Sequence, residues 1–457
     1  MKIASLKKLY FLGIGGIGMS AIARYFLMEG VEIHGYDIAK SDLTKKLEAE
    51  GMYIHYESDT DKIPDDIDAV ILTPAIPQDF SELVYLRNQG YTLYKRSEVL
   101  GHLSKEKRTI AVAGTHGKTT TSSLITHILK YCGLDITAFL GGILTKEQSN
   151  FIKGNSDYVV TEADEYDRSF LQLHPEILAI ISMDADHLDI YGTVENMYQA
   201  YEQLCNQIQS GGVLLIEGKW IEKFSTTFRE DMKSKKIRIY DMSKNVAINN
   251  IRVDNGYYIF DFESSILDAE NDILDVKTRL PGKHNIQNIS VAMTIGLLMD
   301  QDLIVISEAV ENFQGIKRRF EYVYEGNRVL IDDYAHHPEE LRHTVTTIKE
   351  LYPDKKVLGI FQPHLFSRTQ DFYLQFADEL QGLDKVILMP IYPAREELIE
   401  GIRSEIIYNL IPMNNKFLVQ SSDELMKMMI EDDSEVIMTI GAADLNRYHK
   451  RIIELIQ

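Results

Sequence analysis

The chain has 457 residues, 45% hydrophobic and 26% charged, a globular composition that excludes collagen-like, disulfide-scaffolded and largely disordered chains. Its 69 Asp and Glu outnumber 48 Lys and Arg and give a formal charge of −21, which repels polyanions and argues against nucleic acid as a partner. Two cysteines, Cys132 and Cys205, without a CxxC pattern, supply neither a disulfide framework nor a zinc-finger ligand set and fit a reducing cytoplasm. Chains of this length divide into domains of roughly 100–200 residues, and three are expected here.

Lys8 to Leu12 reads as a strand, Ile17 to Met28 as a helix, Glu32 to Tyr36 as a second strand and Ala69 to Thr73 as a later one. The first residues imitate a secretory signal, because Lys2, Lys7 and Lys8 precede an apolar run ending Ala21-Ile22-Ala23. Gly13, Gly15, Gly16 and Gly18 interrupt that run, each costly in the helical form such a segment adopts, so a buried strand and turn explain it better. No apolar run elsewhere approaches the ~18 residues of a membrane span, and Ser290 to Met299 reads as a core helix. No membrane partner is expected.

Gly13, Gly15 and Gly18 form GxGxxG between that first strand and helix, with Asp37 closing the next strand. Glycines there permit a tight turn and let backbone amides approach a diphosphate at a helix N-terminus. Gly13, Gly15, Gly16, Ile17, Gly18 and Asp37 are therefore candidate substrate-binding residues. Alone, the motif would suit an NAD-dependent oxidoreductase, but the same geometry holds any nucleotide diphosphate.

The charged stretch Lys105 to Arg108 precedes a new strand, Thr109 to Ala113, and then Gly114-Thr115-His116-Gly117-Lys118-Thr119 and a helix. This is a phosphate-binding loop for ATP. Lys118 reaches β and γ phosphates, the Thr119 hydroxyl ligates Mg²⁺, and amides around Gly117 cradle phosphate oxygens. Val112 stands where the longer pattern has its first glycine, and Thr120, Thr121 and Ser122 offer hydroxyls to free amides of the helix start. An oxidoreductase leaves this loop unexplained.

Val159 and Val160 end a strand running into Glu162, Asp164, Glu165 and Asp167, and Leu178 to Ser182 leads into Asp184, Asp186, His187 and Asp189. Such acidic groups repel one another unless a cation or a basic partner compensates them, and Mg²⁺ on ATP is the economical choice. The segment from about 213 to 280 looks locally β-rich. His284, Asn285 and Asn288 open a helical pattern, where their side chains either cap it or read an adenine edge.

After Gly315 the α/β pattern restarts with strands Val329 to Ile331, Val357 to Phe361, Val386 to Met389 and Val436 to Ile440. The first leads into Asp332-Asp333-Tyr334-Ala335-His336-His337, and the second into Gln362-Pro363-His364 with Arg368 beyond. Both sets sit at strand ends, where small polar substrates bind in α/β folds. A zinc site of His336, His337 and His364 is the less economical reading, because adjacent histidines rarely point at one metal.

Together, Gly13 to Gly18, Gly114 to Thr119, Glu162 to Asp167, Asp186-His187, His284 to Asn288, Arg318-Arg319-Phe320 and Asp332 to Pro338 resemble the Mur ligases over nearly the entire chain. The resemblance implies three domains: an N-terminal Rossmann-like domain for a UDP-sugar (1–107), a central P-loop ATPase domain (108–314) and a C-terminal Rossmann-like domain for the amino acid (315–457). It implies that ATP phosphorylates the muramyl carboxylate of UDP-N-acetylmuramate, and that the amine of L-alanine attacks the acyl phosphate to give an amide. It assigns catalysis to Lys118, Glu162, His187 and His336, and Mg²⁺ to Thr119, Glu162 and His187. His284, Asn285, Asn288, Arg319 and Asp332 join Gly114 to Thr120 in holding the nucleotide, and Tyr334, His336 and Arg368 hold the amino acid. The attacking amine needs a proton acceptor, a nearby carboxylate or histidine. A cytoplasmic monomer or homodimer is expected.

Three departures accompany the resemblance. Leu365 follows His364 where the family often has Arg, Tyr166 and Arg168 replace smaller residues, and Ala442-Ala443 stand where glycine is usual. The string Glu162 to Asp167 also resembles the recycling branch, which joins the same sugar nucleotide to a preformed tripeptide. Phe361-Gln362-Pro363-His364 with Ser367-Arg368 favours the alanine-adding branch.

Overall fold

The computed structural model describes residues 6–185, 188–254, 256–268, 271–394, 396–443 and 445–457. The chain divides into two compact units, residues 1–249, 260–276 and 287–313, and residues 250–259, 277–286 and 314–457. The architecture is α/β. Among the described residues no helix is long and apolar enough to cross a membrane.

The first unit holds two sheets. Strands β1 (Lys8–Leu12), β2 (Glu32–Tyr36), β3 (Tyr53–His55), β4 (Ala69–Leu72) and β5 (Leu93–Lys95) pair in the order β3-β2-β1-β4-β5, all parallel. Side chains alternate across a strand, so Leu9 and Phe11 enter one core while Tyr10 and Leu12 enter another on the opposite face. A sheet buried on both faces is what the near-continuous apolar runs require. The helix Ile17–Met28 turns Met19, Ala21, Ile22, Ala23 and Phe26 inward.

That helix also carries a buried polar link to the central sheet. Arg24 donates to Asn150 Oδ1 at 2.6 Å and, through Nε and Nη2, to the Glu50 carboxylate at 2.7 and 2.8 Å. The Asn150 amide in turn donates to the Ile17 carbonyl and, at 3.2 Å, to the Ser20 hydroxyl. One apolar core runs from Leu9 and Phe26 through Ala111 and Phe139 to Leu178 and Leu214.

The central sheet comprises β6 (Arg108–Ala113), β7 (Thr137–Leu144), β8 (Ser149–Ile152), β9 (Tyr158–Ala163), β10 (Ile177–Ile180), β11 (Val213–Ile216) and β12 (Arg238–Asp241), in the order β12-β11-β10-β6-β9-β7-β8. Strand β6 lies parallel to β9 and β10, with Val112 opposite Glu162 and Ala113 opposite Ile180. Strand β9 extends beyond the expected end at Val160. Pairing with β6 continues to Ala163 and places Glu162 on the strand. The β-rich reading of residues 213 to 280 holds in part. Helices Gly218–Ile221 and Phe228–Ser234 interrupt it before β13 (Val246–Asp254), β14 (Tyr257–Ser264) and β15 (Asn271–Thr278) form a three-stranded sheet.

The second unit centres on β16 (Glu321–Glu325), β17 (Val329–Asp333), β18 (Val357–Phe361), β19 (Lys385–Leu388), β20 (Lys416–Leu418) and β21 (Val436–Ile440), ordered β16-β17-β21-β18-β19-β20. Strand β16 is antiparallel to β17, and the remaining pairs are parallel. Leu330, Leu358, Ile360, Ile387 and Ile437 pack with Leu425 and Ile452 from covering helices. Strand β17 runs two residues past its expected end because Asp332 and Asp333 pair with Thr439 and Ile440 of β21.

Candidate active site

The first glycine turn follows β1 directly. Gly13 has φ +83°, and a Cβ on it would stand 2.6 Å from the Thr73 methyl, so a side chain is excluded twice over. The Gly13 amide donates to the Tyr36 carbonyl at 2.8 Å and the Gly16 amide to the Gly13 carbonyl at 3.2 Å. Ile17 begins the helix, and Gly16 is its N-cap without a side-chain cap. Asp37 accepts from the Gly15 amide at 2.7 Å and the Ala39 amide at 3.1 Å, so it braces the turn. Gly18 lies against Arg96, whose Cδ would be 3.0 Å from an added Cβ.

Beside this turn lies a cavity of about 260 Å³, lined by Gly16, Gly18, Thr73, Arg96, Glu162 and Asp164 among others. The N-terminal glycine turn and the central acidic strand end thus share one concavity. Nothing in local sequence points to Arg96 or Thr73, which reach the cavity only through the fold.

The second glycine turn follows β6. Gly114 has φ +146° and Gly117 φ +79°, and a Cβ would fall 2.9 Å from the Ser182 amide nitrogen and 2.6 Å from Asn288 Oδ1 respectively. The loop is pinned to the end of β10: Thr115 Oγ1 lies 3.0 Å from Ser182 Oγ, the His116 amide donates to Ser182 Oγ at 3.0 Å, and the Asp184 amide donates to Thr115 Oγ1 at 3.2 Å. Lys118 opens the helix Lys118–Tyr131, and no described side chain caps it. Among the described residues, the expected capping by Thr120, Thr121 and Ser122 is not seen. Thr120 is buried in the first turn, and Ser122 instead donates to the Thr119 carbonyl at 3.2 Å and to Glu162 at 3.4 Å. A helix start of this kind presents amides and dipole to an anion.

The acidic residues at and beyond the end of β9 each have their own partners. Glu162 accepts from Thr119 Oγ1 at 3.2 Å and from the Gly141 amide at 2.6 Å. Asp164 lies 3.6 Å from Arg96, Glu165 2.6 Å from the Lys118 ammonium and Asp167 3.4 Å from Lys95. Burial pushes the Glu165 carboxyl up and Lys118 pulls it back. Asp164, Glu165 and Asp167 thus lie beside protein cations, and Glu162 faces the loop hydroxyl. His187 and Asp186 lie outside the described residues. Among the described residues no three His, Cys, Asp or Glu converge as a metal site. Thr119 and Glu162 nevertheless offer the hard oxygens that suit Mg²⁺, and Gly117, as an N-cap without a side chain, leaves the first-turn amides of the helix uncapped for an anion. The residues present therefore fit Mg²⁺ and a nucleotide phosphate.

The remaining expected residues divide between the units. Asn288 belongs to the first, against Gly117. His284 and Asn285 belong to the second. There the Asn285 amide donates to the Pro281 carbonyl at 2.7 Å, and burial depresses the His284 imidazole to about 4.

In the second unit Asp332 is wholly buried, accepting from Thr439 Oγ1 at 2.6 Å and Arg318 Nε at 3.2 Å. Burial alone would raise its carboxyl, but His449, Thr439 and Arg318 together hold it below the usual range. Arg318 also donates to the Gly441 and Ala443 carbonyls at 2.6 Å each and lies over the Tyr334 ring. The Arg319 amide donates to the Ile316 carbonyl at 3.2 Å. Asp333 accepts the Phe320 and Ala335 amides at 3.0 and 2.8 Å, and burial pushes its carboxyl to about 6.

His336 Nδ1 lies 3.0 Å from the Tyr334 carbonyl and 3.2 Å from Glu340. Its ring stands 6.3 Å from that of His364, which lies 3.3 Å from an Arg368 guanidinium nitrogen. Burial depresses both imidazoles. Tyr334, His336 and Arg368 are thus brought together. His337 packs on Phe372 instead, with centroids 4.8 Å apart. Leu365 holds φ +71° as N-cap of the helix Phe366–Leu380, its amide donating to the Tyr392 carbonyl at 2.9 Å and its carbonyl accepting the Thr369 hydroxyl at 2.8 Å.

Comparison with known proteins accounts for nearly the whole chain. The Mur ligase family catalytic domain matches residues 8–108, the Mur ligase middle domain residues 112–296, and the Mur ligase glutamate ligase domain residues 318–443. A UDP-N-acetylmuramate–L-alanine ligase of Cytophaga hutchinsonii is 42% identical over 98% of this chain and 96% of its own. A crystal structure of a UDP-N-acetylmuramate-alanine ligase from Thermotoga maritima superposes with TM-score 0.81 at 28% identity, covering 98% of each chain. A murein peptide ligase from Psychrobacter arcticus shares the fold, with TM-score 0.66 and 21% identity over 98% of each chain. With such identity along almost its full length, the chain belongs to the Mur ligase family.

Proposed function

We propose that this protein is an ATP-dependent ligase that joins L-alanine to the muramyl carboxylate of UDP-N-acetylmuramate in peptidoglycan precursor synthesis. The observation that carries the reading is the shared concavity of the first unit, where a diphosphate-type glycine turn and Glu162 face one cavity beside the phosphate loop. The glycine turn assigned to the sugar nucleotide and the phosphate loop assigned to ATP lie in one compact unit.

In this reading the sugar-nucleotide domain covers 1–107, the ATP domain 108–314 and the amino-acid domain 315–457. Gly13, Gly15, Gly16, Ile17 and Gly18 form the turn assigned to the UDP diphosphate, with the first-turn amides of Ile17 and Gly18 directed to it, and Asp37 braces that turn. Gly114 to Thr120 wrap the ATP phosphates, with Asn288, His284, Asn285, Arg319 and Asp332 assigned to the nucleotide. Thr119, Glu162 and His187 would hold Mg²⁺, which supplies charge neutralisation for the transferring phosphoryl group. Lys118 stabilises the same charge.

The muramyl carboxylate oxygen attacks the γ-phosphorus, ADP leaves, and an acyl phosphate forms. The neutral amine of L-alanine then attacks the acyl carbon, phosphate leaves with the bridging oxygen, and the nitrogen gives up a proton. Arg368 and Tyr334 are assigned to hold the amino acid. His336, whose imidazole burial depresses, is assigned to accept the proton. The free thiols of Cys132 and Cys205 and the need for ATP support a cytoplasmic location.

The test is phosphate release from ATP, Mg²⁺ and UDP-N-acetylmuramate with L-alanine or with the L-Ala-γ-D-Glu-diaminopimelate tripeptide. Release dependent on L-alanine is expected. Release with the tripeptide alone would move the protein to the recycling reaction, and none with either would overturn the ligase reading. Lys118→Ala is expected to abolish turnover and to leave the sugar nucleotide bound.

A further inference from the structure

The Lys118 ammonium is bound to two protein acceptors, the Gly114 carbonyl at 2.7 Å and Glu165 Oε2 at 2.6 Å. Both side chains of the ion pair are largely withdrawn from solvent, with exposures of 15% and 2%. Glu165 is itself fixed by the chain around it. Its carbonyl accepts the buried Tyr191 hydroxyl at 2.7 Å and the Arg168 amide at 3.0 Å. Asp167 and Arg168 follow with φ +53° each, a left-handed pair that persists only where the surroundings over-determine it.

We infer that Glu165 is a positioning residue for phosphoryl transfer, acting through Lys118. It holds the ammonium at the rim of the loop so that the lysine meets the transferring group from one direction, and it touches neither nucleotide nor metal itself. The inference rests on the ATP reading above. A buried ammonium requires a counter-charge, and a carboxylate this close competes with the phosphates for it. Glu165 therefore weakens nucleotide binding in the ground state while fixing the geometry needed during transfer. Glu162 and Glu165, at one strand end, divide their tasks: one faces the Thr119 hydroxyl and the other the Lys118 ammonium.

The experiment measures binding of adenylyl imidodiphosphate with Mg²⁺ by calorimetry, and kcat, on the full chain. Glu165→Gln is expected to tighten nucleotide binding roughly three- to tenfold while lowering kcat at least about fivefold, a split that general damage to the fold does not produce. Glu165→Asp, with its carboxylate one methylene further away, moves both quantities the same way by less. In a Lys118→Ala background neither substitution changes affinity further, because the lysine through which it acts is gone. Thermal melting identifies a Gln variant that fails to fold, in which case the Asp variant and its double mutant carry the test.

Equal or weaker nucleotide binding in the folded variants, or an effect that persists without the lysine, would overturn the inference. A wild-type protein that does not bind the probe would overturn the ATP reading itself and this inference with it. Binding by wild type that weakens in Lys118→Ala but ignores Glu165 rejects the inference alone.

Discussion

Thr119 Oγ1 stands 3.2 Å from Glu162 Oε2, joining the first turn of a helix to the end of β9, while the other carboxylate oxygen accepts the Gly141 amide at 2.6 Å. A Cβ on Gly141 would fall 2.6 Å from both carboxylate oxygens, so position 141 leaves the room that the carboxylate occupies. Glu162→Gln is expected to lower kcat about 100-fold, the scale of losing one preorganised charge-stabilising group. It should also remove the Mg²⁺ dependence of nucleotide affinity. Titrating Mg²⁺ against nucleotide binding checks this, and an unchanged dependence would count against a metal role for Glu162.

Gly117→Ala places a Cβ where φ is +79° and Asn288 Oδ1 is 2.6 Å away. The strain of roughly 1–3 kcal/mol falls on the phosphate loop, so ATP affinity drops about tenfold or more while UDP-N-acetylmuramate affinity stays at the wild-type value. Parallel calorimetric titrations of the two ligands read the difference. Equal losses for both would contradict the assignment of separate recognition elements.

Arg24→Ala removes a guanidinium that is 4% exposed and bonded to Glu50 and Asn150. The unmet Asn150 group and the lost charge-assisted bonds cost about 2–3 kcal/mol. Urea unfolding followed by the fluorescence of Trp220, the only tryptophan, reports the loss from within the same unit. Arg24→Lys recovers only part of it, because one ammonium cannot reproduce the planar fork.

Asp333 gives the second unit a pH dependence of defined sign. Its folded carboxyl is pushed from 3.8 to about 6, so the folded state binds the proton more tightly than the unfolded state does. The stabilisation is fully present below the unfolded value and is lost as pH rises through about 6, amounting to about 3 kcal/mol. Asp333→Asn removes the titration. Hydrogen exchange of β17, corrected for intrinsic rate, is expected to show the variant gaining protection relative to wild type between pH 4 and 6. A constant difference across that range would refute the assignment.

Much of the scaffold was legible in the residues, because strands buried on both faces appear as uninterrupted apolar runs. β1, β2, β18, β21 and the helix Ile17–Met28 have the bounds expected for them. The glycine turns were legible too, since their conformational demand is local. What was not legible arises from contacts between distant parts of the chain. Arg24 meets Asn150, Arg96 meets Gly18, Ser182 pins the phosphate loop and Glu165 meets Lys118, and no periodicity announces any of these pairs. The residues alone left open whether a cation or basic partners compensate the acids at the end of β9; Asp164, Glu165 and Asp167 lie beside Arg96, Lys118 and Lys95, partners distant in sequence.

Leu365 draws these themes together at a single backbone angle. At φ +71° a leucine sits in territory that glycine occupies without penalty, and the helix bearing Arg368 starts from that uneasy footing. Replacing it with glycine is expected to relax the entry and raise the melting temperature, while loosening the segment from His364 to Arg368 that is proposed to face the amino acid.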